Sequence, residues 1–126
     1  GFTRIESSYY YIGEQHSNFT EARKHCQHLG GDLATINHVE ENIYLANAMK
    51  SLGHPKFLKA LIGLNDIQKE GEFKWVNGEE KNFVKWCRNE PNNSFKREHC
   101  VELVRDCWND VPCGYQQKFI CEVNSV

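Results

Sequence analysis

Six cysteines in a chain of 126 residues, at positions 26, 87, 100, 107, 113 and 121, constrain the fold more than any other feature. The number is even and no two are spaced Cys-x-x-Cys, so a zinc-finger reading is weak and cross-linking is the better one. Disulfides persist in oxidising compartments, which points to a secreted or extracellular protein. Six cysteines allow about 15 pairings, and arithmetic alone does not choose among them.

The length fits one domain, 1–126, able to bury roughly two thirds of its unfolded surface. A net charge of −2 gives no electrostatic case for nucleic acid or an anionic membrane. No apolar run is long enough to insert into a bilayer.

The local patterns run from helix-rich to strand-rich. Tyr9-Tyr10-Tyr11-Ile12 has β character and is expected to end at Gly13. Thr20 is placed to cap a first helix that stops at Gly30-Gly31, with Phe19, Ala22, Cys26 and Leu29 on one face. Asn37-His38-Val39-Glu40 fits a capping box for a second helix. Its broad apolar side would carry Val39, Ile43, Ala46, Leu45, Met49 and Leu52, and Gly53-His54-Pro55 would end it. Beyond residue 60 the helical period fades. Leu61-Ile62-Gly63-Leu64 reads as a buried strand, Phe73–Val76 as a strand running into an Asn77-Gly78 turn, and 99–105 and 118–123 as two more strands. Residues 79–98 read as a long polar loop, a kind that usually carries function. This order is α+β.

Five oxygen-bearing side chains stand out near the C-terminal third: Glu90, Asn92, Glu98, Asn109 and Asp110. Calcium is a hard cation that takes about 6–8 oxygen ligands, and three carboxylates with two amide carbonyls suit it. Singly, each would read as a solvated loop residue; as a set they read as a calcium site able to meet paired sugar hydroxyls.

At this point the sequence resembles the C-type lectin-like domains along nearly its whole length. The resemblance is carried by Phe19-Thr20-Glu21-Ala22 with Cys26, by Gly31-Asp32-Leu33-Ala34 and by Leu61-Ile62-Gly63-Leu64, where Leu61 replaces the family's Trp. It continues through Phe73-Lys74-Trp75, Trp86, Glu90-Pro91-Asn92, Cys100, Trp108-Asn109-Asp110, Cys113 and Cys121. It implies two helices with two small antiparallel sheets, looped so that the termini meet, and a long calcium-binding loop. It also implies the pairs Cys26–Cys121 and Cys100–Cys113. Cys87 and Cys107 lie outside the family's common pattern; by elimination they can pair and tie the calcium loop to the calcium strand, the alternative being two free or intermolecular thiols. Pro91 would follow a cis bond.

The same resemblance implies a non-enzymatic lectin. Glu90 and Glu98 would accept, and Asn92 and Asn109 donate, hydrogen bonds to sugar hydroxyls held on the ion, with Asp110 beside them and Phe95 within reach of a ligand. The order Glu-Pro-Asn goes with mannose, fucose and N-acetylglucosamine; galactose binding, or protein binding without sugar, are the alternatives within the fold. A glycosidase reading of Glu90 and Glu98 fails because carboxylates on calcium are held ionised. Asp66, Glu70 and Asn93, with Glu98 shared, correspond to a second calcium site, weakened by Asn93 and His99 where acids are expected. The six histidines show no metal-ligand spacing, and His25 and His28 are expected on the surface. Lys96-Arg97 reads as a solvated loop segment. Asn18-Phe19-Thr20 is a glycosylation sequon; Asn92-Asn93-Ser94 is another, but a glycan on Asn92 would destroy the site. Partners would be glycans on glycoproteins or microbial surfaces, and weak single-site affinity would favour a homo-oligomer.

Overall fold

The tyrosine-rich run continues past Gly13 in the computed structural model, which describes residues 2–5, 8–52, 59–91 and 98–124. Strand β1 (Phe2–Ile5) pairs with β2 (Ser8–Ser17), and β2 pairs antiparallel with the last strand, placing Gly13 opposite Phe119. Gly13 is inside the strand because the Phe119 ring lies over it: a Cβ there would fall 2.4 Å from Phe119 Cζ. The glycine read as a strand end is a clearance for a ring.

Helix α1 (Phe19–His28) starts one residue before Thr20, the expected cap. Asn18 is the cap. Its Oδ1 accepts from the Glu21 amide at 2.9 Å, and Glu21 Oε1 accepts from the Asn18 amide at 3.3 Å, a reciprocal capping box. Gly30, at φ +93°, ends the helix as expected. Phe19, Ala22 and Cys26 are buried, whereas Leu29, at the C-cap, is not.

Strand β3 (Asp32–Leu33) leads to α2 (Val39–Ser51), where two expectations are corrected. The N-cap is His38, with no side-chain cap bond; Asn37 Oδ1 instead accepts from the Asn82 amide at 3.3 Å. The buried face is Asn42, Leu45 and Met49, leaving Val39, Ile43 and Leu52 exposed. Asn42 explains the rotation. It accepts from Trp108 Nε1 at 2.8 Å and donates to the Asp106 carbonyl at 2.8 Å, so a polar side chain must face the core. The expected end at 53–55 lies outside the described residues.

The remaining strands are β4 (Lys59–Asn65), β5 (Lys74–Trp75), β6 (Cys100–Val104), β7 (Cys107–Val111) and β8 (Gln117–Asn124). The two sheets expected to be separate are one mixed sheet, ordered β1-β2-β8-β4-β6-β7, with β3 on β8 and β5 on β4. The join is a parallel pairing of Leu61 with Phe119, both fully buried. Three disulfides lock this arrangement: Cys26–Cys121 ties α1 to β8, Cys100–Cys113 ties β6 to the segment after β7, and Cys87–Cys107 ties the long loop to β7.

Candidate functional site

The β6–β7 hairpin supplies two of the expected donors. In its register Glu102 faces Asn109 and Val101 faces Asp110. Alternation turns Trp108 and Asp110 to one face, where both are fully buried, and Asn109 to the other. Asn109 Nδ2 donates to Glu102 Oε2 at 3.4 Å, and Gln117 Nε2 donates to Glu102 Oε1 at 3.4 Å. One of the two Asn109 N–H bonds is thereby spent on Glu102. Burial pushes the Glu102 carboxyl above the usual range, against the pull of the Asn109 and Gln117 donors and the Lys59 charge.

Glu90 is brought to the same edge by a braced loop. The Trp108 amide donates to the Lys85 carbonyl at 2.7 Å and the Cys87 amide to the Trp108 carbonyl at 2.8 Å. Trp86 thus bridges β7 in parallel, and the Cys87–Cys107 disulfide closes the same contact with Cα atoms 4.9 Å apart. Trp75, Phe83 and Trp86 each meet Trp108 edge-on, with centroids 5.5–6.0 Å away. From this platform the Glu90 amide donates to the Cys87 carbonyl at 2.9 Å, after Asn89 in the left-handed region. The Glu90–Pro91 peptide is cis, as the resemblance implied. Glu98 precedes β6, half-buried, and its charge acts on Glu102 behind Asn109. In the fold Asn109 and Asp110 lie on β7, Glu98 stands just before β6, and the loop that carries Glu90 is tied to β7. Asn92, Asn93 and Phe95, with Ser94, Lys96 and Arg97, lie outside the described residues.

The second expected set behaves differently. Asp66 and Glu70 do come together, but the third group beside them is His99. Its Nδ1 lies 3.1 Å from Asp66 Oδ1 and 3.5 Å from Glu70 Oε1. No spacing on one strand or helix joins His99 to Asp66: the separation of 33 residues is closed by the fold, through the Asp66 amide donating to the His99 carbonyl at 3.0 Å, at the place where the resemblance put His99 for an acid. His28 is exposed as expected, whereas His25 is half-buried, stacked on Tyr11 and edge-on to Phe119. Asn18, in the glycosylation sequon, is half-buried at the α1 cap.

Sequence reasoning also passed over Glu102, Gln117 and Asn42. A signal existed for Glu102, a carboxylate inside the apolar run Val101-Glu102-Leu103-Val104. A groove of about 630 Å³ near Phe19, Arg23, Trp75 and Val76 is lined by none of the expected donors.

The family model described as the lectin C-type domain matches residues 15–123. Collectin-10 of Gallus gallus is 36% identical over 124 residues, covering 97% of this chain and 44% of the collectin. Perlucin of Haliotis laevigata is 32% identical over 126 residues, covering 97% of this chain and 80% of perlucin. Human lithostathine superposes with a TM-score of 0.91 at 26% identity, over 98% of this chain and 97% of that one. The C-type carbohydrate-recognition domain of cow CD23, solved in the presence of a GlcNAc2Man3 oligosaccharide, gives 0.89 at 28% identity, over 99% and 94%. The chain thus spans less than half the length of the collectins it matches.

Proposed function

This chain belongs to the C-type lectin domain family, a family of binding domains rather than enzymes, and from that premise we propose that it is a calcium-dependent lectin for mannose-, fucose- or N-acetylglucosamine-bearing glycans. What supports the reading is the oxygen-only donor set in the sequence, Glu90, Asn92, Glu98, Asn109 and Asp110, with Asn109 and Asp110 on β7 and the Glu90 loop tied to that strand. Such a set fits calcium by the chemistry of its donors. Bound there, the ion supplies open coordination positions for two neighbouring sugar hydroxyls.

The protein's own groups then read the sugar. Glu90 and Glu98 accept hydrogen bonds from the hydroxyls. Asn92 and Asn109 donate. Glu102 takes one Asn109 N–H and leaves the second for the ligand. Asp110, whose side chain is fully buried, adds a carboxylate to the donor set where water screens charge poorly. Phe95 stands close enough in sequence to touch a bound sugar. Supporting an extracellular, secreted setting are the three disulfides.

A single monosaccharide on an exposed ion binds in the millimolar range, about −4 kcal/mol, so useful avidity calls for clustered sites in a homo-oligomer and multivalent glycans on glycoproteins or microbial surfaces. The test is a glycan array probed in calcium, in chelator and after calcium is restored. Binding to mannose- or fucose-bearing glycans should vanish and return. Undiminished binding in chelator would overturn the reading.

A further inference from the structure

We propose that Asp66, Glu70 and His99 form a zinc site, distinct from the oxygen-only set and independent of sugar binding. In the family pattern this place is an auxiliary calcium site, and the residues present do not fit calcium. Calcium takes oxygen, whereas imidazole suits zinc and its neighbours in the transition series. His99 puts a nitrogen at the centre of the cluster.

The geometry agrees with the chemistry. Zinc bonds to His nitrogen and carboxylate oxygen at about 2.0–2.2 Å, so a tetrahedral site has donor–donor edges of about 3.3–3.5 Å. His99 Nδ1 stands 3.1 Å from Asp66 Oδ1 and 3.5 Å from Glu70 Oε1, and all three donor atoms fall within 4.8 Å of one another. Those edges leave room for a small cation with one open position for water. Distances of this size do not exclude calcium; what argues against it is the donor set, since calcium needs about six or more oxygens and His99 offers a nitrogen.

The surroundings are built to hold the donors. The Asp66 side chain is fully buried, and its second oxygen accepts from the Gly71 amide at 2.9 Å, which aims Oδ1 at His99. The Asp66 amide donates to the His99 carbonyl at 3.0 Å, so the end of β4 and the segment before β6 cannot drift apart. Two carboxylates and a neutral imidazole balance a divalent charge. Lys69, the nearest cation in sequence, is turned to Glu72 at 3.3 Å.

The proposal is tested by titrating zinc into the protein under saturating calcium, by calorimetry, with cobalt(II) absorption as a second readout. Wild type should bind one tight equivalent and give the visible bands of a tetrahedral nitrogen–oxygen site. His99→Gln should weaken zinc binding by at least about tenfold and abolish those bands. His99→Asp should lose zinc affinity and gain a further calcium equivalent. Glu70→Gln, at an exposed position, serves as the second variant if a substitution at 99 disturbs folding, and should also weaken zinc. Zinc binding that is absent in wild type, or equal in wild type, His99→Gln and Glu70→Gln, would leave only a hydrogen-bonded ion pair and overturn the site. Because zinc is read directly, a failure of glycan binding would count against the lectin reading and not against this one.

Discussion

Two donor clusters adjoin in sequence at Glu98 and His99, and they differ in how they are held. The set around Glu90, Asn109 and Asp110 is braced from behind by a disulfide, a bridge through Trp86 and a buried carboxylate. The Asp66–Glu70–His99 set is held by the Gly71 amide on the Asp66 carboxylate, by the Asp66 amide on the His99 carbonyl and by the His99–Asp66 contact itself, with the Asp66 side chain buried and Glu70 on the surface. Yet it is the donor atoms, more than the bracing, that separate the clusters chemically: replacing one expected acid with an imidazole changes which cation the same architecture suits.

Substitution at Asp110 breaks the comparison most forcefully. Asp110→Asn keeps the volume of a fully buried side chain and removes one of three carboxylates from the oxygen-only set. Calcium affinity should fall roughly a hundredfold or more, because charge count sets affinity at such sites. Zinc affinity at His99 should not change. Parallel calcium and zinc titrations of the variant check both halves, and an unaltered calcium affinity would remove Asp110 from the ligands.

Next comes the brace. Replacing Cys87 and Cys107 with Ser opens a loop of sequence separation 20, against 95 for Cys26–Cys121. Stability should drop by about 2–4 kcal/mol, less than for the longer loop. Calcium affinity should drop about tenfold, since the loop that carries Glu90 loses its tie to β7. Zinc binding should again be spared. Equal losses at both clusters, measured by titration alongside denaturant unfolding, would mean that the disulfide stabilises the domain without positioning Glu90.

A finer probe is Glu102→Gln. Gln can still accept from Asn109, but it loses the charge that attracts the Asn109 N–H and orients its amide. A calcium affinity reduced by a few-fold up to about tenfold is expected, as for other groups that act through a ligand. If calcium binding instead strengthened, the orientation argument would fail.

The unequal legibility of the two clusters has a physical cause. Glu90-Pro91-Asn92 and Asn109-Asp110 announce themselves because their ligands are close in sequence and all of one chemical type. The family likeness implied Cys26–Cys121 and Cys100–Cys113, and Cys87–Cys107 followed by elimination. His99 could be met with Asp66 only by pairing the end of β4 with the segment before β6, a long-range event with no local signature. The burial of α2 failed for a related reason: periodicity counted Val39 and Ile43 as core, while one hydrogen bond from Trp108 to Asn42 turned the helix. At α1 the error was smaller, since Asn18 and Thr20 are both good caps and only the reciprocal bond with Glu21 separates them. Gly13 misled because a glycine that ends a strand and one that clears a neighbouring ring look alike in sequence.

The smallest expected effect serves as the control for both clusters, because it belongs to the scaffold. Glu122, on β8, accepts from the Thr35 amide at 2.9 Å and from Ser8 Oγ at 2.9 Å, near Glu41, which in turn accepts from the Tyr10 hydroxyl. Burial raises its carboxyl above the ordinary 4.5, with the charges of Glu41 and Glu79 adding and the two hydrogen bonds opposing. Between 4.5 and that higher folded value, the native state keeps a proton that the unfolded chain has released. Stability therefore falls as pH rises through this window: the contribution is fully present below the unfolded value and lost above the folded one. Glu122→Gln cannot titrate, so it should lose less stability than wild type between acid and neutral pH. Denaturant unfolding at a series of pH values reads the difference. Calcium and zinc affinities should match wild type throughout. If they shifted with Glu122, the two clusters would share a coupling through β8, and their separation by donor chemistry alone would no longer hold.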